Sequence, residues 1–208
     1  MTDISHTLII GGSSGMGFAL AARMLAAGQQ VTIAGRSSER LDAAATALGT
    51  PERLQTHLVD IVDEDSVQRL FADLGPLDHV VVTAVDMSRG YAPLADFALT
   101  DARTVIDIKV LGPWLVAKHA GTLTGSLTVT SGIAAYRPGI GGTMVATANA
   151  ALEGLVRALA LELAPLRVNA VSPGWVDTAG MGPVRRRLQS RTPCLDGRET
   201  ARGTHRPS

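Results

Sequence analysis

Just after its first apolar run the chain carries Gly11-Gly12-Ser13-Ser14-Gly15-Met16-Gly17. Glycine serves where backbone must take a positive φ or approach another group closely. A helix that starts straight after such a loop offers free N–H groups and the positive end of its dipole to an anion. The glycines are spaced G-x3-G-x-G, and their place between a first strand and a first helix points to the pyrophosphate of a dinucleotide. The next apolar run ends Ile33-Ala34-Gly35-Arg36. A site for NAD(H) usually has an acid there for the ribose hydroxyls. Here Gly35 removes the acid and Arg36 offers a planar donor fork suited to a 2′-phosphate, so the residues favour NADP(H).

These groups need a scaffold, and the hydrophobic pattern supplies one. Apolar runs predict strands at residues 7–12, 30–36, 54–61, 79–84, 126–131 and 168–172. Amphipathic stretches predict helices at 16–27, 39–48, 63–74, 101–121 and 143–164. Runs such as TLII, HVVVTA and SLTVTS read as apolar on both faces, as in a parallel sheet covered by helices on each side. The strand–helix–strand alternation is that of right-handed βαβ units, giving an α/β, doubly wound parallel sheet.

The chain has 208 residues, 46% of them hydrophobic and 18% charged, with a formal net charge of zero. That length suits a single domain, and the charge balance gives no footprint for nucleic acid. Apolar runs such as residues 79–85 are too short to span a bilayer, so no membrane partner is expected. The start, MTDISHTLIIGG, has no basic segment or cleavage site, so no leader is expected. The single cysteine, Cys194, fits a reducing, cytoplasmic setting. No metal site is read. From Arg185 onward there are seven arginines against Asp196 and Glu199, and little apolar character. We therefore divide the chain into a nucleotide-binding domain at 1–182 and a basic, disordered or irregular tail at 183–208.

From Thr7 to Thr178 the sequence resembles the classical short-chain dehydrogenase/reductase family. GGSSGMG resembles the family's cofactor loop. Asp60, followed by Ile61, matches the aspartate that contacts adenine. Ala84 is what remains of the family's Asn-Asn-Ala-Gly. Arg167-Val168-Asn169-Ala170-Val171-Ser172-Pro173-Gly174 resembles the sixth strand and the Pro-Gly turn beside the nicotinamide, and Thr178 matches the threonine that holds the carboxamide. The resemblance implies a Rossmann-type fold and a cofactor set of Gly11, Ser13, Ser14, Gly15, Met16, Gly17, Arg36, Asp60, Ile61, Ala84, Pro173, Gly174 and Thr178. It also implies a homodimer or homotetramer through the helices near 101–121 and 143–164, with Ala150, Leu155, Ala158, Leu159 and Leu163 on the joining face. The family's last strand has no counterpart in the sequence, which suggests truncation or an altered reading frame.

The catalytic set departs from the family pattern. Tyr-x-x-x-Lys falls on Val145-Ala146-Thr147-Ala148-Asn149, the serine on Gly132 or the preceding Ser131, and the helix asparagine on Lys109. Asparagine and lysine are thus exchanged, which predicts an amide–ammonium pair in the vacated site. Carbonyl reduction needs a hydride and a proton; the cofactor supplies the first, and a positioned acid is worth about 10²–10⁴ in rate. Valine has no proton to give. Lys109, Ser131, Tyr136 and Asn149 are the remaining candidates, while His119 and Trp114 read as packing residues. The expected function is an NADP(H)-dependent oxidoreductase acting on a small carbonyl or alcohol. The alternatives are a non-catalytic NADP(H)-binding sensor or partner subunit, and a non-functional product.

Overall fold

The computed structural model describes residues 4–49, 51–86, 89–121, 123–174 and 176. Within them the sheet consists of β1 (His6–Ile10), β2 (Gln30–Gly35), β3 (Leu54–Leu58), β4 (Leu77–Val82), β5 (Leu123–Thr130) and β6 (Arg167–Val171). Every pair is parallel and the order is β3-β2-β1-β4-β5-β6. The order reverses between β1 and β4, and a doubly wound sheet opens its binding crevice at the carboxyl ends of the strands at such a point. The helices are α1 (Gly15–Ala26), α2 (Ser38–Ala47), α3 (Glu64–Leu74), α4 (Leu99–Ile106), α5 (Gly112–His119) and α6 (Thr143–Glu162). The strands and helices read from the sequence are present, with ends shifted by a few residues. The tail at 183–208 lies outside the described residues.

Two helix starts are closed by their own side chains. Ser37 accepts from the Arg40 amide at α2, and Asp63 accepts from the Asp65 amide at α3. At α1 the N-cap Ser14 makes no such bond, and no acid lies in the first turn.

The predicted helix at 101–121 is not regular. Residues Asp107–Leu111 form a π-helical turn between α4 and α5. The cause is Pro113, which has no N–H to give the carbonyl four residues back, that of Lys109. The chain widens instead, and the Gly112 amide bonds the Asp107 carbonyl.

The sheet is also covered unequally. Val31, Thr32, Ile33 and Ala34 of β2 are all fully buried, as are Leu8, Ile9 and Ile10 of β1. On β5, by contrast, Leu127 and Val129 are buried while Ser126, Thr128 and Thr130 are only partly so. On β6, Arg167, Asn169 and Val171 are exposed around a buried Val168. SLTVTS is therefore a one-sided strand, a correction to its reading as apolar on both faces; threonine's β-branched shape imitates valine in a sequence pattern. The larger core cluster lies with α3, α5 and α6, and a second, around Ile9, Val31, Ile33, Ala21 and Leu41, lies under α1 and α2.

Among the described residues one helix, α6, is long and apolar enough to cross a membrane by length and composition. Its buried residues, Val145, Ala148, Asn149, Leu152 and Leu159, form the stripe turned to the protein interior.

Candidate active site and cofactor cradle

The glycine loop is wedged between strands so tightly that side chains are excluded. A Cβ on Gly11, whose φ is +93°, would lie 2.7 Å from the Ala84 amide nitrogen and the Thr83 hydroxyl. One on Gly12 would lie 2.6 Å from Ile33, and one on Gly17 would lie 2.5 Å from the Gly11 carbonyl. The loop is tied down by Gly11 N donating to Ala34 O at 2.8 Å and Thr83 N donating to Ile10 O at 2.8 Å. Ser13 and Met16 are half-buried beside it, and Ser14 is exposed. This cradle leads into the uncapped start of α1, where amides point outward with no acid to compete. The residues present therefore fit a dinucleotide pyrophosphate.

At the adenosine end, a Cβ on Gly35 would meet nothing closer than the Ser13 hydroxyl at 3.8 Å, so the space beside the loop is open. Arg36 is exposed there and makes no ion pair among the described residues. Asp60 follows β3, and its carboxylate accepts from the Val62 amide at 3.3 Å, which orients it. Ile61 is 4% exposed and packs where a Cβ on Gly112 would clash at 2.9 Å, so it joins β3 to α5. Ala84 is half-buried beside the loop.

At the other end, Lys109 projects from the π-helical turn and is 9% exposed. Its ammonium donates to Thr130 O at 2.7 Å and to Ser131 O at 3.4 Å. Burial lowers its pKa to about 8. Asn149 is 3% exposed, and its Oδ1 has no hydrogen-bond partner. The predicted amide–ammonium pair is therefore not closed directly: the lysine serves strand carbonyls instead. The Asn149 amide has a different neighbour, since a Cβ on Gly132 would lie 2.8 Å from its Nδ2. Asn149 thus fills the space that a side chain at 132 would need. Val145 is buried one turn earlier on α6.

Ser131 is 4% exposed, and its Oγ donates to Asn149 O at 3.1 Å. Tyr136 ends a 3-10 turn at Ile133–Ala135, and its ring is 60% exposed. The neighbouring Glu153 carboxylate raises the pKa of its phenol. Glu153 also accepts from Ser172 Oγ at 3.0 Å. Burial pushes the Glu153 carboxyl up, but the hydrogen bond from Ser172 and the nearby Tyr136 and Ser131 hydroxyls outweigh it and leave the pKa lowered. Pro173 accepts from the Ile133 amide at 2.9 Å, and Gly174 is exposed beyond it. Thr178 lies outside the described residues. Sequence reasoning gave Glu153 no role; the available signal was a carboxylate four residues after Asn149, in the middle of a mostly apolar helix.

Away from the cleft, His119 bonds Glu64 at 2.9 Å, and Trp114 is 43% exposed with Lys118 over its ring. Trp114 is therefore not the packing residue the sequence suggested. On α6, Leu159 turns inward while Ala150 and Ala158 face outward, so the proposed joining face is divided.

A family profile described as Enoyl-(Acyl carrier protein) reductase matches residues 11–193. Short-chain dehydrogenase/reductase ATR9 of Stachybotrys chlorohalonatus is 35% identical over 192 residues, covering 85% of this chain and 75% of the relative. Short-chain dehydrogenase/reductase malC of Malbranchea aurantiaca is 36% identical over 191 residues, covering 83% and 72%. The solved structure of MalC Reductase/Diels-Alderase from Malbranchea aurantiaca superposes with a TM-score of 0.78 at 34% identity, over 89% of this chain and 78% of that one.

Proposed function

Because the chain belongs to the short-chain dehydrogenase/reductase family, we propose that it is an NADP(H)-dependent oxidoreductase with Lys109 as its proton-bearing group. The observation that carries the cofactor half is the loop of Gly11, Gly12 and Gly17, closed to any side chain and leading into the uncapped α1. Gly11, Ser13, Ser14, Gly15, Met16 and Gly17 would hold the pyrophosphate, Arg36 the 2′-phosphate, Asp60 the adenine, and Pro173 with Gly174 would border the nicotinamide. When bound, the cofactor supplies a hydride.

The chain's own contribution is positional and electrostatic. Lys109 gives two N–H groups to strand carbonyls, which leaves a third for the oxygen of a small carbonyl or alcohol substrate. An ammonium with a pKa of about 8 is a far better acid near neutrality than an exposed lysine. The buried Val145 excludes water from the same wall. The likeness to the Malbranchea Reductase/Diels-Alderase supports a reduction. A second reading, a binding protein without turnover, is favoured by one observation: both ends of the vacated site are occupied by groups engaged with the backbone, Lys109 and Ser131. The proposal includes a homodimer through α4, α5 and α6, where Leu111 and Trp114 are exposed.

Fluorescence titration with NADPH and NADH tests the cofactor half. NADPH is expected to bind more tightly, and Arg36→Ala is expected to remove most of the difference, on the order of tenfold or more for one charge-assisted contact. Equal affinities in the unaltered protein would refute the assignment of Arg36. A panel of carbonyls and alcohols followed at the nicotinamide absorbance then separates enzyme from binding protein.

A further inference from the structure

One carboxylate ties together three pieces of chain that meet at the nicotinamide end of the cleft. Glu153 stands on α6; Ser172 precedes the Pro173-Gly174 turn after β6; Tyr136 lies on the segment after β5. Ser172 Oγ donates to Glu153 at 3.0 Å, and the Tyr136 phenol lies near enough to the same carboxylate for Glu153 to raise its pKa. Ser131 Oγ lies within reach of it too, although its single proton is directed to Asn149 O at 3.1 Å. Among the described residues the backbone adds two ties, from Ser131 N to Val171 O at the end of β6 and from Ile133 N to Pro173 O in the turn after it, each 2.9 Å. Neither reaches α6. The side chains of Ser131 and Glu153 make that connection, Ser131 through the Asn149 carbonyl and Glu153 through Ser172, with the Tyr136 phenol beside the same carboxylate.

In this chain the connection matters more than it would with a long lysine at position 149. Asn149 leaves its Oδ1 unpartnered, and Val145 is apolar, so neither spans the cleft. We propose that Glu153 is a positioning residue: it holds the segment after β5 and the Ser172-Pro173-Gly174 turn against α6, and so fixes the walls that receive the nicotinamide. The role rests on the reading of the cleft as an NADP(H) site. Arg157, one turn along α6, is the nearby opposite charge acting on both Glu153 and Tyr136.

The test has two arms. The chain has two tyrosines, Tyr91 and Tyr136, so a spectrophotometric titration of the unaltered protein beside Tyr136→Phe isolates the Tyr136 phenol. Glu153→Gln keeps the shape and removes the charge, and the Tyr136 titration should move to lower pH. An unmoved titration overturns the clamp. In the second arm NADPH is compared with adenosine bisphosphate carrying the 2′- and 5′-phosphates, the half of the cofactor without nicotinamide. Glu153→Gln should weaken NADPH on the order of tenfold, and Tyr136→Phe by a smaller factor, while the half-cofactor changes by less than about twofold. Equal weakening of both ligands means a general loss of structure, and no weakening of either means no positioning role; both outcomes overturn the inference. Unaltered protein that binds neither ligand instead removes the cofactor reading itself, which sets the two failures apart.

Discussion

The Asn149 amide sits where a side chain on Gly132 would have to go, so the two positions are coupled. Gly132→Ser alone should cost about 1–3 kcal/mol by overpacking. In the presence of Asn149→Ala the serine should cost much less, a non-additivity that a double-mutant cycle in urea measures; additive costs would show that the amide simply moves aside. Lys109 gives a second prediction, with opposite signs for stability and turnover. Folded, it loses its proton near pH 8; unfolded, near 10.5. Between those values the unfolded chain holds more protons, so stability should rise as pH climbs from about 8 toward 10.5. Turnover should fall over the same climb, since the donor is being lost. Lys109→Met should flatten the stability rise and reduce turnover by about 10²-fold or more without changing NADPH affinity. Turnover equal to that of the unaltered protein would end the case for Lys109.

Among the elements, α1 and its loop were the most legible, because glycine spacing and position after a strand have few other physical uses. The places of Arg36 and Asp60 were legible too, since each follows a strand end that the pattern marks clearly. The long helix was not. A proline at its middle is visible in the sequence, but whether it kinks, breaks or widens a helix depends on what packs around it. Here the widening presents Lys109 to the end of β5. Pro113→Ala restores the missing N–H and is expected to favour a regular helix, turning Lys109 away from the Thr130 carbonyl. The stability rise above pH 8 assigned to burial of that lysine should then shrink, in the same denaturation series. If it persists unchanged, Pro113 is not what places Lys109. The role of Glu153 was hidden for a different reason. Its partners Tyr136 and Ser172 lie 17 and 19 positions away in the chain, and only the βαβ crossover brings them together.

Across the whole molecule, cofactor binding should register as stability. A ligand at a hundredfold excess over its Kd adds about 2.7 kcal/mol, and each kcal/mol moves Tm by about 2–4 °C at this chain length. NADPH should therefore raise Tm by several degrees and NADH by less at equal concentration; no shift with either would sink the cofactor assignment. The unequal cover of the sheet adds a consequence for the order of events. β1 and β2 are shielded on both faces, whereas β5 and β6 turn Thr128, Asn169 and Val171 toward solvent. Local opening is easiest where few apolar groups must be uncovered, so the strands beside α1 form the rigid half and those beside α6 the pliable half. A dinucleotide arriving at this cleft is expected to find its pyrophosphate cradle already built, and the berth for its reactive ring to settle afterwards, around whatever the first half has anchored.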